Sequence, residues 1–92
     1  MPPEQKGRRY TMEVRDQIVG EMRTIAKEQG RHLAVLHDDL ALLDCGFDSL
    51  CFAILVVRIE DRLGVDPLGD VEAEDVPKTF GEFVHLYADA LV

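Results

Sequence analysis

Three segments of the chain repeat apolar residues at the spacing of an α-helix. In the first segment these residues are three or four positions apart among charged neighbours: Val14, Ile18, Met22 and Ile25. Residues at this spacing share one helix face, so the pattern predicts a first helix from about Thr11 to Gln29, ended by Gly30. Residues 1–10, MPPEQKGRRY, contain two prolines and no apolar period. We expect them to form a flexible lead-in to a single domain over residues 11–92.

The second segment contains the longest apolar run of the chain, eight residues from Leu50 to Val57. It continues through charged residues to Leu63 and ends at Gly64, and both its length and the final glycine favour a helix over a buried strand. On a helical wheel its apolar residues separate into two faces. The first face comprises Phe52, Leu55, Val56, Ile59 and Leu63. The opposite face comprises Leu50, Ala53, Ile54 and Val57 and continues with Glu60 and Asp61.

The opposite face of this helix is more apolar than folding alone requires. A helix in a small bundle needs one apolar stripe for the core, so the second stripe is either covered by a short helix or used to bind a partner. An exposed apolar strip bordered by acids suits a partner's groove, and this one lies beside Ser49. We therefore interpret these six residues as a docking strip for a partner protein.

The remainder of the chain predicts one short helix and one amphipathic helix. Residues 31–48 form a long connection whose leucines can hold it as an ordered loop. Asp70 is a suitable N-cap for a short helix over about Val71 to Asp75, and Thr79 with Glu82 forms a capping box for the last helix. The apolar stripe of that last helix comprises Phe80, Phe83, Val84, Tyr87 and Leu91. These elements predict an all-α fold, a small four-helix bundle with three main helices and one short helix.

Composition and charge narrow the possible partners. The chain has 92 residues, 47% of them hydrophobic, which indicates one folded domain with one core. We expect it to be a monomer. Its net charge is −8, and it is uneven: residues 1–31 contain seven Lys/Arg and five Asp/Glu, whereas residues 32–92 contain three and thirteen. Such an acidic surface repels phosphate backbones, which argues against a nucleic-acid partner. A protein partner with a basic patch is the better match.

The cysteines and the apolar runs indicate a cytoplasmic protein. Cys45 and Cys51 have no further cysteines nearby, so their spacing indicates neither a zinc knuckle nor a disulfide scaffold, and we expect two reduced thiols in apolar surroundings. The eight-residue apolar run is far shorter than the roughly 20 residues that cross a bilayer, so no membrane span is expected.

One serine lies at the predicted start of the second helix. Asp48 is in the N-cap position and Ser49 is the first helical residue, where backbone N–H groups have no partner within the helix. A phosphate ester on Ser49 would be stabilised there by about 0.3–1 kcal/mol, with slight opposition from Asp48. From these two residues alone, an ordinary helix-start serine is the default interpretation.

The stretch GFDSL around Ser49 is preceded by DLALLDC and followed by a helix that ends in IEDRLGV. This wider pattern resembles the attachment site of the acyl carrier proteins, the family that includes peptidyl carrier domains, and the resemblance covers about residues 11–91. It implies that Ser49 receives a 4'-phosphopantetheine arm from coenzyme A through a phosphopantetheinyl transferase, with Asp48 used during arm transfer. The arm's thiol then carries acyl or aminoacyl groups as thioesters.

The resemblance also implies how such a carrier meets its partners, namely through the docking strip, above all Leu50, Val57, Glu60 and Asp61. Ile54 departs from the family pattern, because many fatty-acid carriers have an acid there. A specialised carrier therefore fits better than a housekeeping one, loaded by an acyl- or aminoacyl-activating ligase or a synthase in fatty-acid, polyketide or nonribosomal peptide biosynthesis. Such a carrier is not itself an enzyme.

Three other functions can be compared with features of the sequence. A serine hydrolase is disfavoured, because its nucleophile elbow reads G-x-S-x-G whereas this chain reads G-x-D-S-L with no preceding strand. A metal site at His32, His37, Asp38 and Asp39 is disfavoured because the spacing matches no ligand motif. The remaining alternative is a helical adaptor that keeps the carrier fold, carries no arm and leaves Ser49 unmodified.

Overall fold

Three α-helices and three short 3₁₀ turns form the fold of this computed structural model, which describes residues 3–91 and the side chains of residues 12–69 and 71–91. The α-helices are α1 (Pro3–Gln29), α2 (Ser49–Leu63) and α3 (Phe80–Ala90). The 3₁₀ turns are Leu42–Asp44, Pro67–Asp70 and Ala73–Asp75. Within residues 3–91 the only extended pairing is one isolated antiparallel bridge between Ala41 and Thr79. The prediction of a small all-α bundle is confirmed.

Helix α1 begins at Pro3, eight residues before the predicted start at Thr11. The apolar pattern begins at Val14, which is the first buried residue among the side chains that the structure describes from residue 12 onward. Proline is well tolerated at the first helical position, where a backbone N–H would have no partner in any case. Of the predicted flexible lead-in, residues 1 and 2 lie outside the described residues, and the division at residue 10 stays a prediction.

The predicted short helix over Val71–Asp75 is replaced by two 3₁₀ turns. The first turn begins at Pro67, and the side chain of Asp66 caps it by accepting a hydrogen bond from the Gly69 N–H at 3.1 Å. Asp70, the predicted N-cap, is the last residue of that turn. Segments this short do not repay the cost of nucleating an α-helix, and 3₁₀ geometry is common in short connectors.

The core is formed where α1, α2 and α3 meet. Its fully buried large side chains are Val14, Ile18, Met22, Ile25, Leu55, Ile59, Phe80, Val84 and Tyr87. These residues, with the buried Phe83, confirm the predicted stripes of α1 and α3 except for Leu91, which follows the end of α3 and is only half-buried. In α2 the buried stripe is Cys51, Leu55 and Ile59, whereas the predicted core residues Phe52, Val56 and Leu63 are only half-buried. The core face of α2 therefore lies on the side of Cys51, and the side of Phe52 and Val56 is at its edge.

The connection between α1 and α2 is tied to the start of α3 by backbone hydrogen bonds. The Leu42 N–H donates to the Lys78 carbonyl at 2.9 Å, and the Phe80 N–H donates to the Leu40 carbonyl at 2.8 Å. Leu33, Leu36 and Leu40 are half-buried against the core, as the leucine pattern predicted, whereas Leu43 is exposed. The long loop is thus ordered by both backbone and side-chain contacts.

Truncation of Ile59 tests the assignment of the α2 faces. Ile59 is 0% exposed, so Ile59→Ala leaves a cavity and should lower the free energy of unfolding by about 2–5 kcal/mol. Val57, two residues earlier, is 66% exposed, and the matched control Val57→Ala should stay within about 0.5 kcal/mol of wild type. Urea unfolding followed by circular dichroism measures both. Equal losses in the two variants would show that the faces are assigned wrongly.

Candidate functional site

The first turn of α2 presents an exposed serine beside a capped helix end. Asp48 is the N-cap in extended conformation (φ −93°, ψ −177°), and its Oδ1 accepts a hydrogen bond from the Cys51 N–H at 2.9 Å. Ser49 is the first residue of the helix and is exposed. The predicted positions of both residues are confirmed. The Ser49 hydroxyl is accessible at the end of the helix that carries partial positive charge.

The turn that leads to Ser49 is fixed by what lies on either side of it. Gly46 has a φ of 103°, and a Cβ there would lie 2.2 Å from the carbonyl oxygen of His32, so only glycine fits. Phe47 is buried and packs edge-to-face on Phe52 with ring centroids 5.5 Å apart. With Gly46 against the backbone and Phe47 in the core, Asp48 and Ser49 are left at the surface.

Asp48 is a carboxylate with two partners. The hydrogen bond from the Cys51 N–H is the largest cause of its lowered pKa, and the nearby Arg31 guanidinium lowers the pKa further. Arg31, which lies 17 residues earlier in the chain, donates a hydrogen bond to Oδ2 of Asp48. The sequence pattern did not predict this contact. The capping carboxylate therefore stays ionised at neutral pH, which keeps it a hydrogen-bond acceptor for the helix end.

The docking strip is exposed along most of its length. Leu50 is 60% exposed and Val57 is 66% exposed, and Ala53 and Asp61 are also exposed. Ile54 is half-buried and packs against the core, so it contributes to both the strip and the fold. Large apolar side chains with this exposure on one helix face are typical of a surface that meets a partner.

Glu60 differs from the rest of the docking strip because its carboxylate is engaged inside the fold. It is half-buried and accepts a hydrogen bond from the buried Tyr87 hydroxyl at 3.4 Å. Burial is the main cause of the raised pKa of Glu60, with Asp66 as a second cause. Burial and then Glu60 likewise raise the pKa of Tyr87. The sequence could not separate Glu60 from Asp61, because the difference depends on residues 66 and 87.

Basic residues of α2 pair with acids of α1 beside the docking strip. Arg62 Nε lies 2.8 Å from a Glu21 carboxylate oxygen, and an Arg58 guanidinium nitrogen lies 2.8 Å from a Glu28 carboxylate oxygen. These partly exposed pairs contribute little to stability individually. They neutralise the positive charges of Arg58 and Arg62 next to the strip. The exposed acid of the strip is then Asp61.

An open apolar groove of about 460 Å³ lies on another side of α2. Phe52 and Val56 line it from α2, and the facing residues include Leu42, Leu43, Val76 and Phe83. Ser49, Phe52 and Val56 are spaced i, i+3 and i+7, so they share one helix face. The helical wheel assigned Phe52 and Val56 to the core. It did not predict the groove, because the opposite wall comes from the loop before α2, the segment before α3 and α3 itself.

Some residues considered for other chemistry have structural partners instead. Asp38 pairs with Arg15, which is the main cause of its lowered pKa, and the Asp38 carbonyl accepts from the Gly81 N–H at 3.0 Å. In the part of the chain that the structure describes, no three His, Cys, Asp or Glu residues cluster as a metal site would require. No helix among the described residues is long and apolar enough to cross a membrane.

The comparison with known families identifies the family of the chain. A family model described as the phosphopantetheine attachment site matches residues 16–76, more than half of the chain. The chain belongs to this family. It is a carrier protein, and its prosthetic group is a covalently attached phosphopantetheine.

A solved structure supports the same assignment for the carrier. It is the solution structure of MacpD, an acyl carrier protein from Pseudomonas fluorescens involved in mupirocin biosynthesis. The TM-score is 0.82 at 25% sequence identity, over 100% of this carrier and 83% of MacpD. No curated protein matches the sequence. The residues present fit the prosthetic group, because an exposed hydroxyl lies at a helix N-terminus and Ser49 is the chain's only serine.

Proposed function

We propose that Ser49 is the attachment residue of the phosphopantetheine arm. The observation that carries this proposal is the exposure of its hydroxyl at the capped start of α2, within the segment that matches the family model. During priming, Ser49 Oγ forms an ester bond to the phosphorus next to the pantetheine of coenzyme A. The bond from that phosphorus to the bridging oxygen breaks, adenosine 3',5'-bisphosphate leaves, and the hydroxyl proton passes to a base on the transferase.

The residues around Ser49 hold the attachment point rather than perform chemistry. Asp48 fixes the first turn of α2 through the Cys51 N–H, and the helix end favours the negative phosphodiester by about 0.3–1 kcal/mol. We also propose that Asp48, as the acid next to Ser49, contacts the transferase during arm transfer. When bound, the arm supplies a thiol that forms thioesters with the cargo.

A single incubation tests the attachment. With coenzyme A and a broad-specificity phosphopantetheinyl transferase, the intact mass should rise by one phosphopantetheine, because Ser49 is exposed to the transferase. Ser49→Ala should abolish the rise, whereas the control Thr24→Ala, which removes another exposed hydroxyl, should leave it unchanged. Intact-protein mass spectrometry measures the change. A folded wild-type protein that never gains mass would support the arm-less adaptor instead.

We propose an acyl group with an apolar chain as cargo, in preference to a polar aminoacyl group. The groove beside Phe52 and Val56 is lined by apolar side chains apart from Lys78, and it lies on the helix face that Ser49 shares. An apolar chain placed there gains about 25 cal/mol for each Å² removed from water, whereas a charged ammonium group would lose hydration. MacpD, which shares this fold, is itself an acyl carrier protein.

Loading the arm with two cargoes tests the role of the groove. The octanoyl form should shift the methyl resonances of Val56 and Val76, because the chain displaces water from the groove that both residues line. The glycyl form should leave these resonances as in the unloaded form. Val35, which is 85% exposed and outside the groove, is the reporter that should not move. Identical spectra for both cargoes would contradict an apolar cargo site.

We propose that the docking strip meets the partner enzymes and that Leu50 and Val57 are its apolar contacts, with Asp61 as the acid at its rim. Their exposure supports this role, and their modest area suits a carrier that must bind and leave quickly. The structure favours Glu60 less, because its carboxylate is already engaged by Tyr87. Ile54 belongs to the strip as an apolar contact that is shared with the core.

A charge placed in the docking strip tests the proposed contact. Val57→Glu should lower kcat/KM for priming by the transferase by about tenfold, because the interface would have to desolvate an unpaired carboxylate. Thermal unfolding should stay near wild type, because Val57 is exposed. The control is Val35→Glu, the same substitution at an exposed valine of the loop after α1. A large loss of thermal stability in Val57→Glu would instead show that this face is part of the core.

The wider setting completes the proposal. We propose a monomeric, cytoplasmic carrier that acts in a specialised pathway, as MacpD does in mupirocin biosynthesis, and that is loaded by an acyl-activating ligase or a synthase. Ile54 in place of an acid in the docking strip supports this specialisation. Two free, buried cysteines are compatible with a reducing compartment. The carrier would then be a substrate and partner of enzymes.

A further inference from the structure

The backbone of Arg31 is fixed directly after α1. The helix ends at Gln29, and the Gly30 that follows has a φ of 66°. The Arg31 N–H donates to the Ala26 carbonyl at 2.8 Å. The Gly30 N–H donates to the Lys27 carbonyl at 3.4 Å. This is the hydrogen-bond pattern of a Schellman motif, with Arg31 as the residue after the glycine. Arg31 is therefore a defined position of the fold and not a free loop residue.

The loop that carries Arg31 is also fixed against the turn before Ser49. The Ala34 N–H donates to the Cys45 carbonyl at 2.9 Å, and Gly46 contacts the backbone of His32 so closely that a Cβ would collide with it. Arg31 consequently lies beside the N-cap, and its guanidinium pairs with Oδ2 of Asp48. The end of α1 and the contacts between the loop and the turn before α2 thus both hold the Arg31 guanidinium beside Asp48.

The arm creates an electrostatic problem that this cation can solve. A phosphodiester on Ser49 is an anion one residue from the Asp48 carboxylate, whose other oxygen already caps the helix. Like charges this close raise each other's energy, and the exposed setting weakens the effect without removing it. The side chain of Arg31 is 43% exposed, so part of its guanidinium faces solvent and is accessible to a second anion.

We propose that Arg31 is a positioning residue for the phosphodiester of the arm, an inference that rests on Ser49 as the attachment residue. Its guanidinium has five N–H donors in a planar fork, enough to hold Asp48 and a phosphodiester oxygen at once. In this role Arg31 offsets the repulsion between the two anions and fixes the direction in which the arm leaves α2. Lysine would supply the charge without the fork.

The test compares four proteins, each with and without the arm: wild type, Arg31→Gln, Arg31→Lys and the control Arg23→Gln, an exposed arginine of α1. The first readout is the pKa of Asp48 from an NMR titration of its carboxyl carbon. Arm attachment should raise this pKa by less than about 0.3 units in wild type and in Arg23→Gln. In Arg31→Gln the rise should be about 0.5–1 unit, and in Arg31→Lys it should be intermediate.

The second readout is the ³¹P resonance of the attached phosphodiester, which should shift in Arg31→Gln and stay at the wild-type position in Arg23→Gln. If Arg31 had only a structural role, Arg31→Gln would change the Asp48 pKa by the same amount with and without the arm. Equal rises of the Asp48 pKa in wild type and Arg31→Gln, with an unchanged ³¹P resonance, would overturn the inference even though priming is complete. Failure of wild type to gain the arm would instead overturn the attachment at Ser49.

Discussion

The turn before α2 depends on the close approach of the Gly46 backbone to that of His32. This contact requires a residue without a Cβ and with positive φ, and it joins the loop after α1 to the turn before α2. Because this contact fixes the turn, Phe47 is placed in the core while Asp48 and Ser49 are placed at the surface. The same contact helps to place Arg31 next to Asp48, together with the backbone hydrogen bonds around Gly30 and Ala34. These backbone constraints determine where Ser49, its neighbouring acid and the nearby cation lie.

Helix α2 has 15 residues and three faces that differ in burial, so one face can serve folding while the other two stay available for the proposed binding. The core face holds the bundle together through Cys51, Leu55 and Ile59. The groove face, with Phe52 and Val56, follows the line of Ser49, and the docking strip is exposed beside it. In the proposed function the arm and its cargo use the groove face while a partner enzyme uses the docking strip, so the two need not compete for the same surface.

The helices, their caps and most of the core were predictable from the sequence because they depend on local spacing. The Asp48 cap, the Gly64 end and the stripes of α1 and α3 need only residues three or four positions apart. The groove, the pairing of Glu60 with Tyr87 and the pairing of Arg31 with Asp48 were not predictable, because each joins residues that are distant in sequence. The start of α1 was placed too late, since residues 1–10 contain no apolar period from which a helix could be predicted.

The most direct test of the central claim is to locate the arm by peptide mapping of the carrier isolated from the cells that make it. Trypsin releases residues 32–58 as one peptide, and Ser49 is its only residue with a side-chain hydroxyl group. Tandem mass spectrometry should find one phosphopantetheine on that peptide, with fragment ions that assign it to Ser49. An arm on any other peptide, or a carrier that never bears one in its own cells, would contradict the account.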